Sequence, residues 1–228
     1  MQLKSILTPS WIWYMVHNLP IIYLTADAKC STVNERIASI LHGQMWDHLY
    51  DSLRDGASLN RFQHHIFGYK SPLIMLFEIS DGYVFCLCCD EDFKESPKHF
   101  GGVHSRLIQL KPVLKILQEG PNIIFMNTKL RGVSSLGLHI GRDLQHTFLT
   151  IDGDFFNATH INGEGRLSAI EVWGCGGTKA AQEQGNMRQW EAKQIEKLRK
   201  VKNDYATEEV ILNLGGVQTR HGYDQNPN

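Results

Sequence analysis

Short apolar runs separated by polar turn residues recur through the middle of the chain, a pattern typical of β-strands. Two apolar runs, residues 73–77 and 83–89, flank the pair Asp81-Gly82 and predict a β-hairpin, because an Asp-Gly pair between apolar runs favours a tight turn. Further short runs predict strands at residues 107–110, 113–117, 123–126, 137–140, 147–151 and 169–173. Such close spacing, without intervening helical patterns, predicts antiparallel sheets packed face to face.

Helix-capping residues mark the first third of the chain. Thr8-Pro9 predicts an N-cap followed by proline at the first helical position, and Thr32 with Glu35 three residues later is a capping-box pattern. Ser58 predicts the cap of another short helix. Together with the strands, these signals predict an α+β fold, a two-sheet antiparallel β-sandwich flanked by helices.

The apolar stretch at residues 11–24 raises the question of a membrane span. It is too short to cross a bilayer, and His17, Asn18 and Pro20 interrupt it. We therefore expect a helix that packs on the domain and no transmembrane segment.

A long charged helix is predicted to leave the domain after the last strand. Residues 178–203 contain no proline, a single glycine at Gly185 and charges of alternating sign. Its sparse apolar residues lie along a thin stripe at helical spacing, which consists of Met187, Trp190, the polar Gln194, Leu198 and Val201. So thin a stripe is typical of a docking seam on a partner, and the alternative is a helix folded back on its own domain.

Within this stripe Trp190 is the predicted anchor, because aromatic residues tend to dominate the binding energy of such seams. The helix also carries a basic excess towards its end. Arg199, Lys200 and Lys202 are expected to meet acidic residues at the rim of the partner.

The composition fits a globular protein and argues against one class of partner. A chain of 228 residues with 42% hydrophobic and 21% charged residues can build one sizeable core with extensions. Its 23 basic and 24 acidic residues give a net charge of −1, unlike the basic footprint of a nucleic-acid binder. The predicted organisation is an N-terminal helical segment packed on the domain over residues 1–44, a β-sandwich domain over 45–177, and a charged helix and tail over 178–228.

Candidate chemistry is sparse. Cys86 and Cys88 would share one face of a strand and, with Cys89, suit a metal or thiol redox site, although buried core cysteines fit the same pattern. Glu171, on the last predicted strand, is expected to face solvent or a surface groove, and a hydrolase using it with a histidine is the other enzymatic alternative. No zinc, phosphate-binding or nucleophile motif accompanies these residues, so we expect no enzymatic activity, cofactor or metal.

Several short motifs, taken in order, are similar to those of the TLDc domain, the module of oxidation-resistance proteins. The resemblance covers residues 45–177, and the segment after it is similar to the C-terminal extension of the MTOR-associated member of that family. The motif positions are Arg54, Asp55, Gly56, Ser58, Leu59, Gly82, Gly101, Gly137, Glu171, Trp173 and Gly174.

This resemblance implies a β-sandwich flanked by helices and a non-enzymatic role. It implies binding to the V-type proton-translocating ATPase, at its peripheral stalk and catalytic head, with effects on pump assembly or activity and a link to oxidative-stress resistance. The expected location is the cytosolic face of acidic organelles such as lysosomes, vacuoles and endosomes. A constitutive accessory subunit of a larger membrane-associated assembly is an alternative with the same partner.

Overall fold

The computed structural model describes residues 5–24, 30, 32–128 and 136–214, with side chains described as far as residue 200. Residues 1–4 of the predicted N-terminal segment and residues 215–228 of the predicted tail therefore lie outside the described residues. The α-helices are α1 (Pro9–Asn18), α2 (Val33–Leu41), α3 (Ser52–Asp55), α4 (Leu59–Ile66) and α5 (Gly177–Leu214), with a 3-10 turn at Ile21–Tyr23. The strands are β1 (Asp47–Asp51), β2 (Leu73–Ile79), β3 (Val84–Cys89), β4 (Arg106–Lys111), β5 (Lys115–Glu119), β6 (Ile124–Asn127), β7 (Gly137–Gly141), β8 (Thr147–Asp152), β9 (Asn157–His160) and β10 (Gly163–Gly174).

All strand pairs are antiparallel, in the order β5-β4-β3-β2-β10-β9-β8-β7-β6, and β1 also pairs with β10. The long strand β10 joins two halves of this arrangement. Its first residues pair with β9, and its last residues lie between β1 and β2. A register shift between Leu167 and Ala169 marks the passage from one half to the other, since an irregularity of this kind bends a strand.

Two hydrophobic cores lie on opposite faces of β2, β3 and β10. The first core joins side chains of both halves of the sheet with Phe62 and Ile66 of α4. The second core packs Ile12, Met15 and Val16 of α1 against the opposite face of the strands. The predicted α+β, sheet-rich class with flanking helices is thus confirmed.

Local signals predicted most of these elements. Thr32 and Glu35 form both bonds of the capping box, and Ser58 accepts a hydrogen bond from the Arg61 amide. Thr8 precedes α1 as predicted, but its side chain makes no capping hydrogen bond. The predicted strand at 113–117 lies instead at Lys115–Glu119.

Two strands have no clear sequence signal. In β9 the side chains of Ala158 and His160 are buried while their neighbours are exposed, but neither buried residue is a strong strand former. In β1 only Tyr50 and Asp51 of the five residues are buried, so the strand shows no regular alternation. Pairing with β10 makes both segments strands.

Helix α5 contributes to two compact units, divided between Gln184 and Gly185. Its first two turns, residues 177–184, belong to the unit that contains the sheet. In the described part of the chain, no helix combines the length and the apolar character needed to cross a membrane.

Candidate interaction site

The segment Arg54-Asp55-Gly56 forms a closed turn between β1 and α4. Asp55 accepts hydrogen bonds from Nε and Nη2 of Arg54, at 2.9 and 3.0 Å, and from the Asp51 amide at 2.9 Å. The Arg54 guanidinium is the main cause that lowers the pKa of Asp55 to about 2. Gly56 has φ +89°, which favours glycine, and its carbonyl accepts a hydrogen bond from the Tyr50 hydroxyl at 2.9 Å. These motif residues therefore hold a loop in place.

The turn containing Gly101 and Gly102 is held by a carboxylate. Asp90 accepts hydrogen bonds from the Gly102 and His104 amides, at 2.8 and 2.9 Å, and from the Ser105 hydroxyl at 2.6 Å. Burial acts to raise the pKa of Asp90, but these hydrogen bonds outweigh burial and hold its pKa below the usual value. A Cβ on Gly102 would lie 2.6 Å from the Asp90 carboxylate, so the contact requires glycine there.

Glu171 is buried, contrary to the expectation that it faces solvent or a groove. Only 3% of the residue is exposed, and its carboxylate accepts hydrogen bonds from the Ile6 amide at 2.6 Å and the Leu7 amide at 3.2 Å. The Ser5 hydroxyl and the Trp173 indole donate at 3.0 and 3.4 Å. The N-terminal segment covers this face of β10, so Glu171 holds the segment to the sheet and has no histidine among these partners.

The end of β10 is fixed by aromatic rings. Trp173 stacks on His48 of β1, with ring centroids 4.3 Å apart, and burial lowers the pKa of this histidine. The Tyr69 ring lies where a Cβ on Gly174 would be, and the Tyr69 hydroxyl accepts the Gly176 amide at 2.8 Å. The closing motif of the strand thus leads directly into α5.

Two other motif glycines also have structural roles. Gly137 has φ +122°, and a Cβ there would meet the Ile151 carbonyl of the neighbouring strand. Gly82 has φ +93° in the predicted hairpin turn between β2 and β3. Both positions thus favour glycine for the course of the backbone.

The cysteine cluster lies inside the two cores. The sulfur atoms of Cys86 and Cys88 are 3.8 Å apart and face the second core, as the strand alternation predicted, whereas Cys89 faces the first core. The hydrogen bond with Cys88, followed by burial, raises the pKa of the Cys86 thiol, and burial raises the pKa of Cys89 to about 12. Both effects oppose formation of a reactive thiolate. Among the described residues, no group of three or more His, Cys, Asp or Glu side chains suits a metal ion.

Gln184 fixes the first two turns of α5 to the domain, a role that the sequence did not reveal. It is 5% exposed, and its side-chain amide donates to the carbonyls of His65, Ile66 and Phe67 at 3.1, 3.4 and 3.0 Å. These carbonyls lie at the end of α4, where the last carbonyls of a helix have no partner within the helix, and the Ile66 carbonyl also accepts the Tyr69 amide at 3.2 Å. Ala180, one turn earlier on the same face of α5, is also buried.

The predicted docking stripe follows on α5. Trp190 is 62% exposed and Leu198 is 69% exposed, while Met187 and Gln194 are half-buried. Ile195, which the prediction omitted, is 52% exposed and widens the apolar surface. The side chain of Val201 lies outside the described residues.

The predicted basic residues differ in their surroundings. Lys200 pairs with Glu196 at 2.9 Å, one turn earlier on the helix. Arg199 is exposed, and the side chain of Lys202 lies outside the described residues. Since exposed pairs of this kind contribute less than about 1 kcal/mol, Lys200 can exchange Glu196 for an acidic partner at little cost.

The β-rich domain, its closed motif turns and its final Glu-Val-Trp-Gly strand define a family. The TLDc domain model matches residues 4–176, and the chain belongs to the TLDc domain family. This match begins in the N-terminal segment that Glu171 holds, ahead of the resemblance at residues 45–177. The chain is also similar to Restriction of telomere capping protein 5 of Kluyveromyces lactis, with 24% identity over 174 residues, which is 60% of this chain and 30% of the relative.

Proposed function

We propose that this TLDc protein binds the V-type ATPase at its peripheral stalk and catalytic head, and that α5 provides part of the contact. Family membership supports the choice of the pump, because that binding is what the resemblance implies. The observation that carries the role of α5 is the exposure of Trp190, Ile195 and Leu198 on one helix. Three large exposed apolar side chains on one helix favour a binding surface.

The proposed action is non-enzymatic modulation of pump assembly or activity, with the stress-resistance link as a consequence. A protein with this partner works at the cytosolic face of lysosomes, vacuoles or endosomes. A permanent accessory subunit would use the same surface but would accompany the pump at fixed stoichiometry.

The thiol and hydrolase alternatives receive less support. Raised thiol pKa values oppose thiol chemistry at Cys86 and Cys89. The carboxylate of Glu171 accepts hydrogen bonds from the N-terminal segment, which leaves it poorly placed to act on a substrate.

The test is capture of partners from detergent-solubilised organelle membranes, followed by mass spectrometry. The full chain is compared with a chain that ends after Gln184, which keeps the turns that complete the domain. Pump subunits captured by both chains would place recognition in the β-domain, and capture by the full chain alone would place it in α5. Capture by neither would overturn the proposal.

A substitution sharpens the role of α5. We expect Trp190→Ala to weaken capture of the pump by about 30-fold, the equivalent of about 2 kcal/mol for an interface hot spot. Trp13→Ala is the matched control, because Trp13 of α1 is 57% exposed, close to the value for Trp190. Equal capture by both variants and the unaltered chain would show that Trp190 is not an anchor.

A further inference from the structure

Helix α5 is held firmly at its beginning. Gln184 donates to three carbonyls at the end of α4, Ala180 is buried, and Tyr69 accepts the Gly176 amide just before the helix starts. These contacts fix residues 177–184 as part of the domain, and the boundary of the domain falls directly after Gln184.

The next two residues are poor helix formers. Gly185 stands in the helix interior, where glycine is the least favourable residue after proline, and Asn186 is also below average. Packing does not explain the glycine, because a Cβ at Gly185 would meet nothing within 4 Å outside the helix's own backbone. The backbone torsion does not explain the glycine either, since the φ of Gly185 is not positive. The physical consequence that remains is a locally weaker helix.

From these observations we infer that Gly185 is a pivot. At this residue the arm of α5, residues 185–214, changes direction relative to the first two turns of the helix, which are fixed to the domain. A helix bends most readily where its backbone is least restrained, and glycine restrains the backbone of a helix interior less than any other residue. The arm is about 45 Å long at about 1.5 Å per residue, so a bend of about 20° moves its tip by about 15 Å. A small change of the backbone at the pivot therefore gives a large displacement of the end of the arm.

The use of this pivot rests on the proposed function, in which the arm carries the docking residues. Because the first two turns of α5 are fixed and the arm can reorient, Trp190, Ile195 and Leu198 can reach their binding surface on the pump after the β-domain has bound. The pivot itself is a property of the isolated chain, so its test needs no pump. Failure to bind the pump would therefore leave the pivot standing, and a rigid helix would leave the binding proposal standing.

The experiment measures the distribution of distances between two spin labels on the full chain. Labels are attached through cysteines introduced at Glu164 of β10 and Lys197 of the arm, both exposed, in a Cys30→Ser background. Lys197 lies about 18 Å along the helix from Gly185 at about 1.5 Å per residue, so a bend of about 20° moves its label by about 6 Å. We expect a broad distribution in this parent and a narrower one in Gly185→Ala, which adds a helix-favouring methyl group without a clash. Hydrogen exchange of the amides at 186–190 should slow by roughly fivefold, the equivalent of about 1 kcal/mol.

Ala206→Gly is the matched control, because it places a glycine in the arm beyond the label at Lys197. It should leave the distance distribution unchanged while it speeds hydrogen exchange near residue 206. Equal widths for the parent and Gly185→Ala, or unchanged exchange at 186–190, would overturn the pivot.

Discussion

At the scale of single residues, the motifs of this domain are mainly devices that close loops and hold segments. Asp55, Asp90 and Glu171 each accept several hydrogen bonds, and each ties together parts of the backbone that local structure leaves unpaired. Carboxylates suit this work because one group can accept several donors at once.

Glu171 is the strongest of these cases, because it is buried and its donors are backbone amides. We expect Glu171→Gln to lower the free energy of unfolding by about 1–3 kcal/mol, since the amide group would set a donor against the donors of Ile6, Leu7 and Trp173. Urea denaturation of the full chain measures the change. Glu164→Gln, on an exposed part of the same strand, is the control. Equal losses in the two variants would contradict the role given to Glu171.

Asp55 predicts a pH effect. Its pKa of about 2 lies below the value of about 3.9 for an unfolded aspartate, so the folded state favours the charged form. The resulting stabilisation is fully present above about pH 4 and is lost as the pH falls towards 2. Because Arg54 is half-exposed, we expect its size to be under about 1 kcal/mol.

The measurement is the midpoint of urea unfolding between pH 2 and pH 5, compared with Asp55→Asn. Because asparagine does not titrate, the stability of Asp55→Asn should fall less than that of the unaltered chain between pH 5 and pH 2. An identical pH dependence in both proteins would rule out the contribution of Asp55.

Among the secondary-structure elements, α4 and the first two turns of α5 stabilise each other through one side chain, that of Gln184. Gln184→Ala removes the side-chain donor from the carbonyls of His65, Ile66 and Phe67, and only Ile66 keeps the Tyr69 amide as a donor in the described structure. We expect a loss of about 1–3 kcal/mol in local stability, seen as faster hydrogen exchange at 177–184 and at the end of α4. Gln182→Ala is the matched control, because Gln182 is exposed on the same helix. Similar exchange in both variants would show that the Gln184 bonds contribute little.

At the scale of the whole molecule, the two cores decide which side chains react with reagents in solution. Cys30 is half-buried, whereas Cys86, Cys88, Cys89 and Cys175 are buried. We expect a thiol reagent to modify Cys30 first in the native protein and the four others only after urea unfolding. Mass spectrometry of peptides identifies the modified sites. Rapid native modification of Cys86 or Cys88 would instead revive the thiol alternative.

Much of the fold was predictable because its signals are local. The capping box at Thr32, the cap at Ser58 and the hairpin at Asp81-Gly82 each depend on residues a few positions apart, and the structure contains all three. The apolar runs marked most strands for the same reason. Strands β1 and β9 were not recognised, because pairing with β10 stabilises segments that have a weak pattern of their own.

Most strands, the helix caps, the family motifs and the sparse apolar stripe of α5 could be predicted from the sequence, since each depends on composition and spacing within one segment. The burial of Glu171 follows from the tertiary fold, because the segment that covers it lies more than 160 positions away along the chain. The same holds for Gln184, whose polar side chain resembles its exposed neighbours until the end of α4 is placed against it. Contacts between distant segments give such polar residues their roles, and no local pattern records those contacts.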